Sequence, residues 1–361
     1  MNTLTATVTC PIHNSFRVQQ VAGMFDVPLS AKAAATFTAE MPEPDEQWQI
    51  GLIVGPSASG KTTLARHAFG SHLYAGGDWP RDRAVVDCLG DLPIRQVTGL
   101  FTMVGFSSPP SWIKPYHVLS GGERFRCDLA RALACTANNE SSPLVVFDEF
   151  TSAVDRNVAR IGSAAVAKGI REGRVPCRFV AVTCHYDVAE WLAPDFVVDM
   201  ASGECQRRSL RRPAIELEIF RCRRRAWSLF ARHHYLSGSL SSRARCHLAT
   251  WQGAPVAFCA TLPLIGRRGH WRISRIVTLP DFQGIGIGMR VAEAVAQLHR
   301  DDGVRVNVTA SHPALLAHCQ RSPRWRLVRM LKSGSASARR FKGNYRSSAG
   351  RAVVSFEFLG E

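Results

Sequence analysis

The stretch QIGLIVGPSASGKTT, Gln49–Thr63, restricts the fold of this chain more than any other. Gln49–Val54 is a short apolar run, the pattern of a strand buried on both faces. A loop with two glycines follows at once, and TLARHAF then reads as helix. A strand that enters a helix through such a loop turns successive backbone N–H groups towards one point, and the helix end adds positive potential there. The loop Gly55, Pro56, Ser57, Ala58, Ser59, Gly60, Lys61, Thr62 and Thr63 is therefore expected to hold phosphate. Lys61 is expected to reach the β- and γ-phosphates of a nucleotide, and Thr62 to hold Mg2+ through its hydroxyl.

Further motifs follow in order. LSGGE begins at Leu119, with Ser120 placed 59 residues after Lys61. Ser120, Gly121 and Gly122 stand at the start of a predicted helix, where amides and a hydroxyl suit an anion and where Ser also serves as a cap. The apolar strand LVVF ends in Asp148 and Glu149, an Mg2+-ordering carboxylate and a candidate general base for water. TSAVD, Thr151–Asp155, comes next, and the strand RFVAVTCH ends in His185, 37 residues after Asp148. These ordered motifs resemble the nucleotide-binding domain of the ATP-binding cassette (ABC) superfamily over about residues 45–205. The resemblance implies a mixed-sheet phosphate-loop core with a small helical subdomain. It also implies ATP and Mg2+ as cofactors, and a head-to-tail homodimer with two ATP molecules between its copies. In that family the signature serine faces the γ-phosphate held by the other copy, TSAVD crosses the dimer seam, and the switch histidine, here His185, contacts the γ-phosphate. Gln96 or Asp91 fills the place of the metal- and water-sensing residue. Phe16, Phe25 and Phe37 are candidates for an aromatic that stacks on adenine, with core packing as the other reading of each. The segment 61–120 is shorter than in transporter ATPases, which disfavours a transporter subunit.

The second half has its own pattern. SGECQRRSLRRP reads as a linker. IELEIF is a strand, RCRRRAWSLFARHHYL a basic helix, CHLATW and VAFCATL a hairpin, and WRISRIVTLP a strand. Gln283, Gly284, Ile285, Gly286, Ile287 and Gly288 then open the helix MRVAEAVAQLHR, and a strand and a helix follow. This order and the Q-x-x-G-x-G motif resemble the GNAT N-acetyltransferases over about residues 213–332. The resemblance implies an α+β fold in which loop amides bind the pyrophosphate of acetyl-CoA or another acyl-CoA. Many such enzymes carry a Tyr on the late helix; residues 306–332 have none, and His312, His318 and Cys319 lie there instead. His233, His234 and Tyr235 are candidate acceptor contacts, with aromatic packing as the alternative.

The expected division is an ABC-type domain at 1–205, a basic linker at 206–212, a GNAT-like domain at 213–332 and a basic Ser/Gly/Arg-rich tail at 333–361 with a terminal edge strand. Charge follows this division. Residues 1–210 carry 19 Lys and Arg against 21 Asp and Glu, and residues 211–361 carry 26 against 8. A basic domain beside a near-neutral one suits nucleic acid or a ribonucleoprotein, although solubility or an arginine-favouring genome would select the same excess. The eleven cysteines form no CxxC pair, which disfavours a zinc site or a secreted disulfide framework. No apolar run approaches the length of a membrane span and no leader pattern is visible, so a cytoplasmic protein is expected. The function expected is an ATPase coupled to an acyltransferase-like domain. The alternatives are an ATP-gated clamp on nucleic acid or ribosomes without transfer chemistry and, less favoured, a transporter subunit.

Overall fold

The computed structural model describes residues 2–27, 29, 32–43, 46–74, 76–134, 143–207, 213–234, 238–332 and 352–360. The chain divides into two compact units: residues 1–77, 136–153 and 173–212, and residues 78–135, 154–172 and 213–361. The segment that carries the signature motif thus folds in one unit with the C-terminal half.

Numbered along the chain, β1 (Asn2–Pro11) and β2 (Lys32–Met41) of the first unit pair antiparallel, with α1 (Phe16–Phe25) between them in sequence. Its main sheet runs β4 (Leu73–Tyr74), β5 (Leu144–Phe147), β6 (Arg178–Thr183), β3 (Ile50–Val54), β7 (Phe196–Asp199), β8 (Glu204–Arg207). Neighbours are parallel except β7 and β8. Every residue of β3 is buried, as its unbroken apolar run requires for an interior parallel strand. Ile53, Leu64, Val146, Val180 and Val198 share one core, which seats α2 (Lys61–Phe69) on the sheet. The short α7 (Ala189–Leu192) precedes β7.

The second unit contains α3 (Ile94–Met103), α4 (Pro109–Trp112), α5 (Gly121–Ala134) and α6 (Arg156–Arg171). It also contains a seven-stranded sheet, ordered β14 (Trp325–Lys332), β15 (Ala352–Phe358), β13 (Arg305–Ala310), β12 (His270–Thr278), β11 (Ala254–Pro263), β10 (Arg245–Trp251), β9 (Glu218–Arg221). β12 and β13 are parallel and joined through α8 (Ile287–Asp301); α9 (Pro313–Arg321) follows β13. The remaining pairs are antiparallel.

Several local expectations are corrected. The run Phe16–Val21, whose alternation suggests a strand ahead of the phosphate loop, is helix, and the Ser15 hydroxyl caps it by accepting from the Val18 amide at 3.3 Å. The mainly apolar run Ala84–Leu89, which suggests a strand, instead holds a 3-10 turn at Val85–Asp87. The Val85 amide donates to the Lys114 carbonyl at 3.0 Å, and between buried Val85 and Leu89 the alternate position, Asp87, is exposed. The basic stretch after β9 forms 3-10 turns, Arg224–Leu229 and Ala231–His233, instead of an α-helix. Buried Trp227 and Phe230, three apart, fit a three-residue turn, and both pack on Phe258 while Leu229 faces out. The C-terminal strand is not an edge: β15 lies between β13 and β14, with Val354, Phe356 and Phe358 buried. Its Glu357 sits between Arg305 and Arg326, whose hydrogen bonds hold that carboxyl down at about 2. The tail at 333–351 lies outside the described residues.

A buried histidine pair sets an acid limit on the second unit. His247 on β10 and His299 on α8 are 3% and 1% exposed, and the His299 ring bonds the Thr261 hydroxyl at 2.9 Å. Burial, then His299, Arg221 and Arg245, push the His247 imidazole down to about 4. The folded protein therefore holds it neutral, while the unfolded chain takes up a proton below its ordinary value near 6.5. Stability from this group is complete above that value and is lost on descending to about 4, by about 3 kcal/mol in total. Thermal melts across this window are expected to show the drop, and His247→Phe to flatten it.

Candidate functional site

In the first unit the motif residues stand at the carboxyl ends of three neighbouring parallel strands. β5 leads into Asp148 and Glu149, β6 into His185, and β3 into the phosphate loop at Gly55. Ligands of open α/β sheets bind at that edge. Gly60 caps α2 with φ +85°, a conformation open to glycine, and a Cβ there would stand 2.2 Å from the Phe37 ring. Phe37 therefore lies against the loop, whereas Phe16 and Phe25 are 74% and 70% exposed on α1. Lys61 is buried, and its ammonium donates to the Pro56 carbonyl at 2.6 Å, folded back along the loop. The Thr62 hydroxyl donates to Asp148 Oδ1 at 3.1 Å. Two neighbouring ligands of an octahedral Mg2+, each about 2.1 Å from the ion, stand about 3 Å apart, so this oxygen pair fits the metal. No cluster of three or more His, Cys, Asp or Glu among the described residues would hold a metal without phosphate, the usual condition of such Mg2+ sites.

The turn after β5 is strained. Glu149 has φ +50° and Thr151, β-branched and fully buried, has φ +67°. Positive φ at two non-glycine residues within three positions costs energy that only a fixed surrounding maintains, and such sites cluster where function is set. The turn aims the Glu149 carboxylate outward, where it accepts from the Ser152 hydroxyl at 2.6 Å. Sequence reasoning missed Ser152 as its positioning partner; only its place three residues on signalled it. His185 is half-buried, and its amide donates to the Thr183 hydroxyl at 3.2 Å.

In the second unit Ser120 precedes α5 in a reciprocal cap. The Ser120 amide and hydroxyl both donate to Glu123 Oε2 at 3.0 Å, and the Glu123 amide returns to the Ser120 hydroxyl at 3.4 Å. Burial pushes the Glu123 carboxyl up, but bonds from Ser120 and Ser111 outweigh it and hold the group below the ordinary carboxylate range. Ser120 and Gly121 are exposed and Gly122 is half-buried. Gln96 is exposed in the first turn of α3, and Asp91 is exposed just before it.

The glycine-rich loop leads from β12 into α8. Gly284 and Gly286 have φ +94° and +96°, and Gly286 caps α8 without a side-chain bond. No acidic residue stands in the first turn of α8, so its first amides keep their positive potential. A Cβ on Gly288 would meet the Thr278 hydroxyl at 2.8 Å. This cradle of bare backbone fits a pyrophosphate. Gln283 is fixed at both ends of its amide: Nε2 donates to the Thr278 carbonyl at 2.9 Å, and Oε1 accepts from the Ser107 amide at 3.1 Å. Of the candidate acceptor contacts, His234 lies edge-on to Trp227 at 5.7 Å. His233 accepts from the Arg232 guanidinium at 3.0 Å, and burial, with Arg232, lowers its basicity. Tyr235 lies outside the described residues.

Residues 205–318 match the model of the acetyltransferase (GNAT) family. No curated protein matches the sequence. Among solved structures, the chain is similar to the IAA acetyltransferase from Bacillus cereus, at 17% identity over 40% of this chain and 99% of that one, with a TM-score of 0.32. It is likewise similar to the ribosomal-protein-S18-alanine N-acetyltransferase from Escherichia coli, at 15% identity over 40% and 96%, TM-score 0.31. It is also similar to an ATP-binding cassette solved as a dimer with ADP and Pi, at 15% identity over 58% of this chain and all of that one, TM-score 0.39. The mainly parallel sheet, with the glycine loop leading from β3 into α2, gives the first unit a phosphate-loop α/β fold, and residues 205–318, matched by the acetyltransferase model, include five of the seven strands of the second unit's sheet.

Proposed function

We propose that this protein is an ABC-type ATPase that closes on two Mg-ATP between two copies of the chain, coupled to an acyl-CoA-dependent N-acyltransferase domain acting on nucleic acid or a nucleic-acid-bound substrate. The observation that carries the ATPase reading is the Thr62–Asp148 pair set at a strand-end edge shared with Glu149 and His185. With nucleotide bound, Lys61 would exchange the Pro56 carbonyl for phosphate oxygens, and Thr62 and Asp148 would hold Mg2+. The metal supplies charge neutralisation at the phosphates. Glu149, held by Ser152, takes the proton of the attacking water, and His185 orients the γ-phosphate. The signature serine and α5 amides of the second copy complete the site.

The transferase reading rests on the bare-backbone cradle at 284–288 and the family match over it. A polyanionic acceptor is supported by Arg221, Arg223, Arg224 and Arg225, all exposed in one short segment. If about four such charges meet phosphates, log affinity for RNA or DNA falls with log salt at a slope of about −3 to −4. Filter binding at rising KCl is expected to show that slope, and a salt-insensitive affinity would remove nucleic acid as the partner.

The clamp without transfer chemistry is favoured by one specific observation. The late-helix groups that would replace a Tyr acid are engaged in structural bonds or buried: His318 with Glu293 at 2.7 Å, His312 with the Ser107 carbonyl at 3.0 Å, and Cys319 at 1% exposure with its thiol pushed up to about 12 by burial. Incubation with labelled acetyl-CoA, Mg-ATP and total RNA or ribosomes separates the two. Label in RNA or protein supports transfer; bound but unlabelled RNA supports the clamp.

A further inference from the structure

The glycine-rich loop is gripped from one side by the segment that carries the signature motif. Gly105 follows α3 with φ +84°, and a Cβ there would stand 2.6 Å from the Gln283 carbonyl oxygen. A Cβ on Gly284 would stand 2.9 Å from both Gly105 Cα and Ala165 Cβ. Backbone meets backbone here, and only glycine on both sides allows the approach. Polar clips fasten it: the Ser107 amide to Gln283, the Ser107 carbonyl to His312, and the Lys168 ammonium to the Ile285 carbonyl at 3.3 Å.

Behind the grip α3, α5 and α6 are knit tightly. A Cβ on Gly162 of α6 would stand 2.7 Å from the Phe125 ring of α5, and one on Gly169 would stand 2.3 Å from the Met103 sulfur of α3. Side chains seated this closely on helix glycines pack α5 and α3 against α6 without a gap. Arg126 of α5 is 2% exposed, with Nε and Nη2 lacking hydrogen-bond partners, and its Nε lies 3.4 Å from the Cβ position of Gly105. A buried guanidinium with bonds unmade among the described residues costs stability in this arrangement. α5 begins directly after Ser120, and Asp155, the last residue of TSAVD, caps α6. The motifs assigned to the nucleotide seam therefore stand at the N-terminal ends of α6, whose Ala165 and Lys168 meet the loop, and of α5, which packs on α6 through Phe125 and Gly162; α6 alone spans about 24 Å.

Lys168 also gives the linkage a direction. Its ammonium lies 3.2 Å from the Cβ position of Gly286, at the N-terminal end of α8, where the helix's positive potential opposes it. The Ile285 carbonyl and Glu172, at 4.0 Å, offset that repulsion. An anion in the cradle would offset it further and tighten the clip.

We propose that this grip is a coupling device: nucleotide engagement at the signature motif and acyl-donor engagement at the glycine-rich loop share one equilibrium, with the donor's phosphates strengthening the Lys168 clip. The inference rests on the ATP and acyl-CoA sites proposed above. It goes beyond them in naming the contact through which each affects the other.

The test uses full-length Glu149→Gln protein and needs no acyl donor for its main reading. Hydrogen exchange of the peptide covering residues 283–291 is followed with and without Mg-ATP, ATP occupancy being measured by calorimetry. A change of about fivefold or more in loop protection is expected, the usual size of a coupling between sites. It is expected to vanish in Lys168→Met/His312→Asn with ATP binding and melting temperature kept; Asn retains the cap that His312 makes for α9. If the double variant does not fold, Lys168→Met alone is expected to reduce the change by more than half. Titration of acetyl-CoA with and without ATP should then give one factor that equals the factor by which acetyl-CoA alters ATP affinity. Unchanged loop protection with ATP bound overturns the coupling. Protection that responds while acetyl-CoA fails to bind leaves the grip standing and overturns the acyl-CoA reading. Failure to bind ATP overturns the cassette reading and the coupling with it.

Discussion

Glu149→Gln is expected to lower steady-state ATP hydrolysis by about 10²- to 10⁴-fold while leaving ATP bound. A general base in such a site contributes a factor of that order. Glutamine keeps the shape of the side chain and an oxygen to accept the Ser152 hydroxyl, and it meets the same backbone at φ +50°. The turn should therefore persist, and only the capacity to take a proton is removed. Nucleotide affinity depends on Lys61, Thr62 and the loop amides, none of which is touched. Phosphate release under saturating ATP, beside equilibrium binding of the same nucleotide, separates the two effects. Lost binding would assign Glu149 a structural role, and hydrolysis at the wild-type rate would assign the base elsewhere.

Gly286→Asp is expected to weaken acetyl-CoA binding by about 100-fold or more. Two costs combine. At φ +96° any side chain strains the backbone, by about 1–2 kcal/mol. A carboxylate at the end of α8 also meets the pyrophosphate it displaces. One pair of like charges about 5 Å apart at an effective dielectric of 20 repels by about 3 kcal/mol. Gly286→Ala carries the strain without the charge and should weaken binding by about tenfold, so the pair of variants divides the two terms in one set of titrations. Equal losses in both would mean that the loop fails by distortion alone. No loss in either would remove the loop from the donor site.

The phosphate-loop and strand-end motifs were legible because each is local. A buried apolar run with a glycine-rich loop and a helix start leaves a mark within fifteen residues, and Asp148, Glu149 and His185 stand where apolar strands stop. The loop at 283–288 was legible for the same reason. Where exposure departs from apolarity, reading failed. α1 has no buried residue yet carries Phe16, Val21, Met24 and Phe25, so alternation there signalled nothing about a sheet. The turns at 224–233 were missed because Trp227 and Phe230 are anchored three residues apart, a 3-10 spacing that in sequence reads equally as one face of an α-helix. The interior place of β15 depends on pairing with β13, a partner 46 residues away at Thr309 and Ser355, which its own pattern does not encode. The grip of Ser107 on Gln283 joins residues 176 apart, and the glycines that allow it look in sequence like turn residues. Thr151 at positive φ is the reverse case, since its β-branched side chain argues for extended backbone and only the surrounding core holds it otherwise.

The most direct test of the account is sedimentation of Glu149→Gln protein with Mg-ATP, with Mg-ADP and without nucleotide. If each ATP is held between one copy's phosphate loop and the other's signature, Mg-ATP alone doubles the sedimenting mass, and Ser120→Arg prevents it. A particle of single mass with ATP stoichiometrically bound would contradict the two-copy site, and the mechanism built on it.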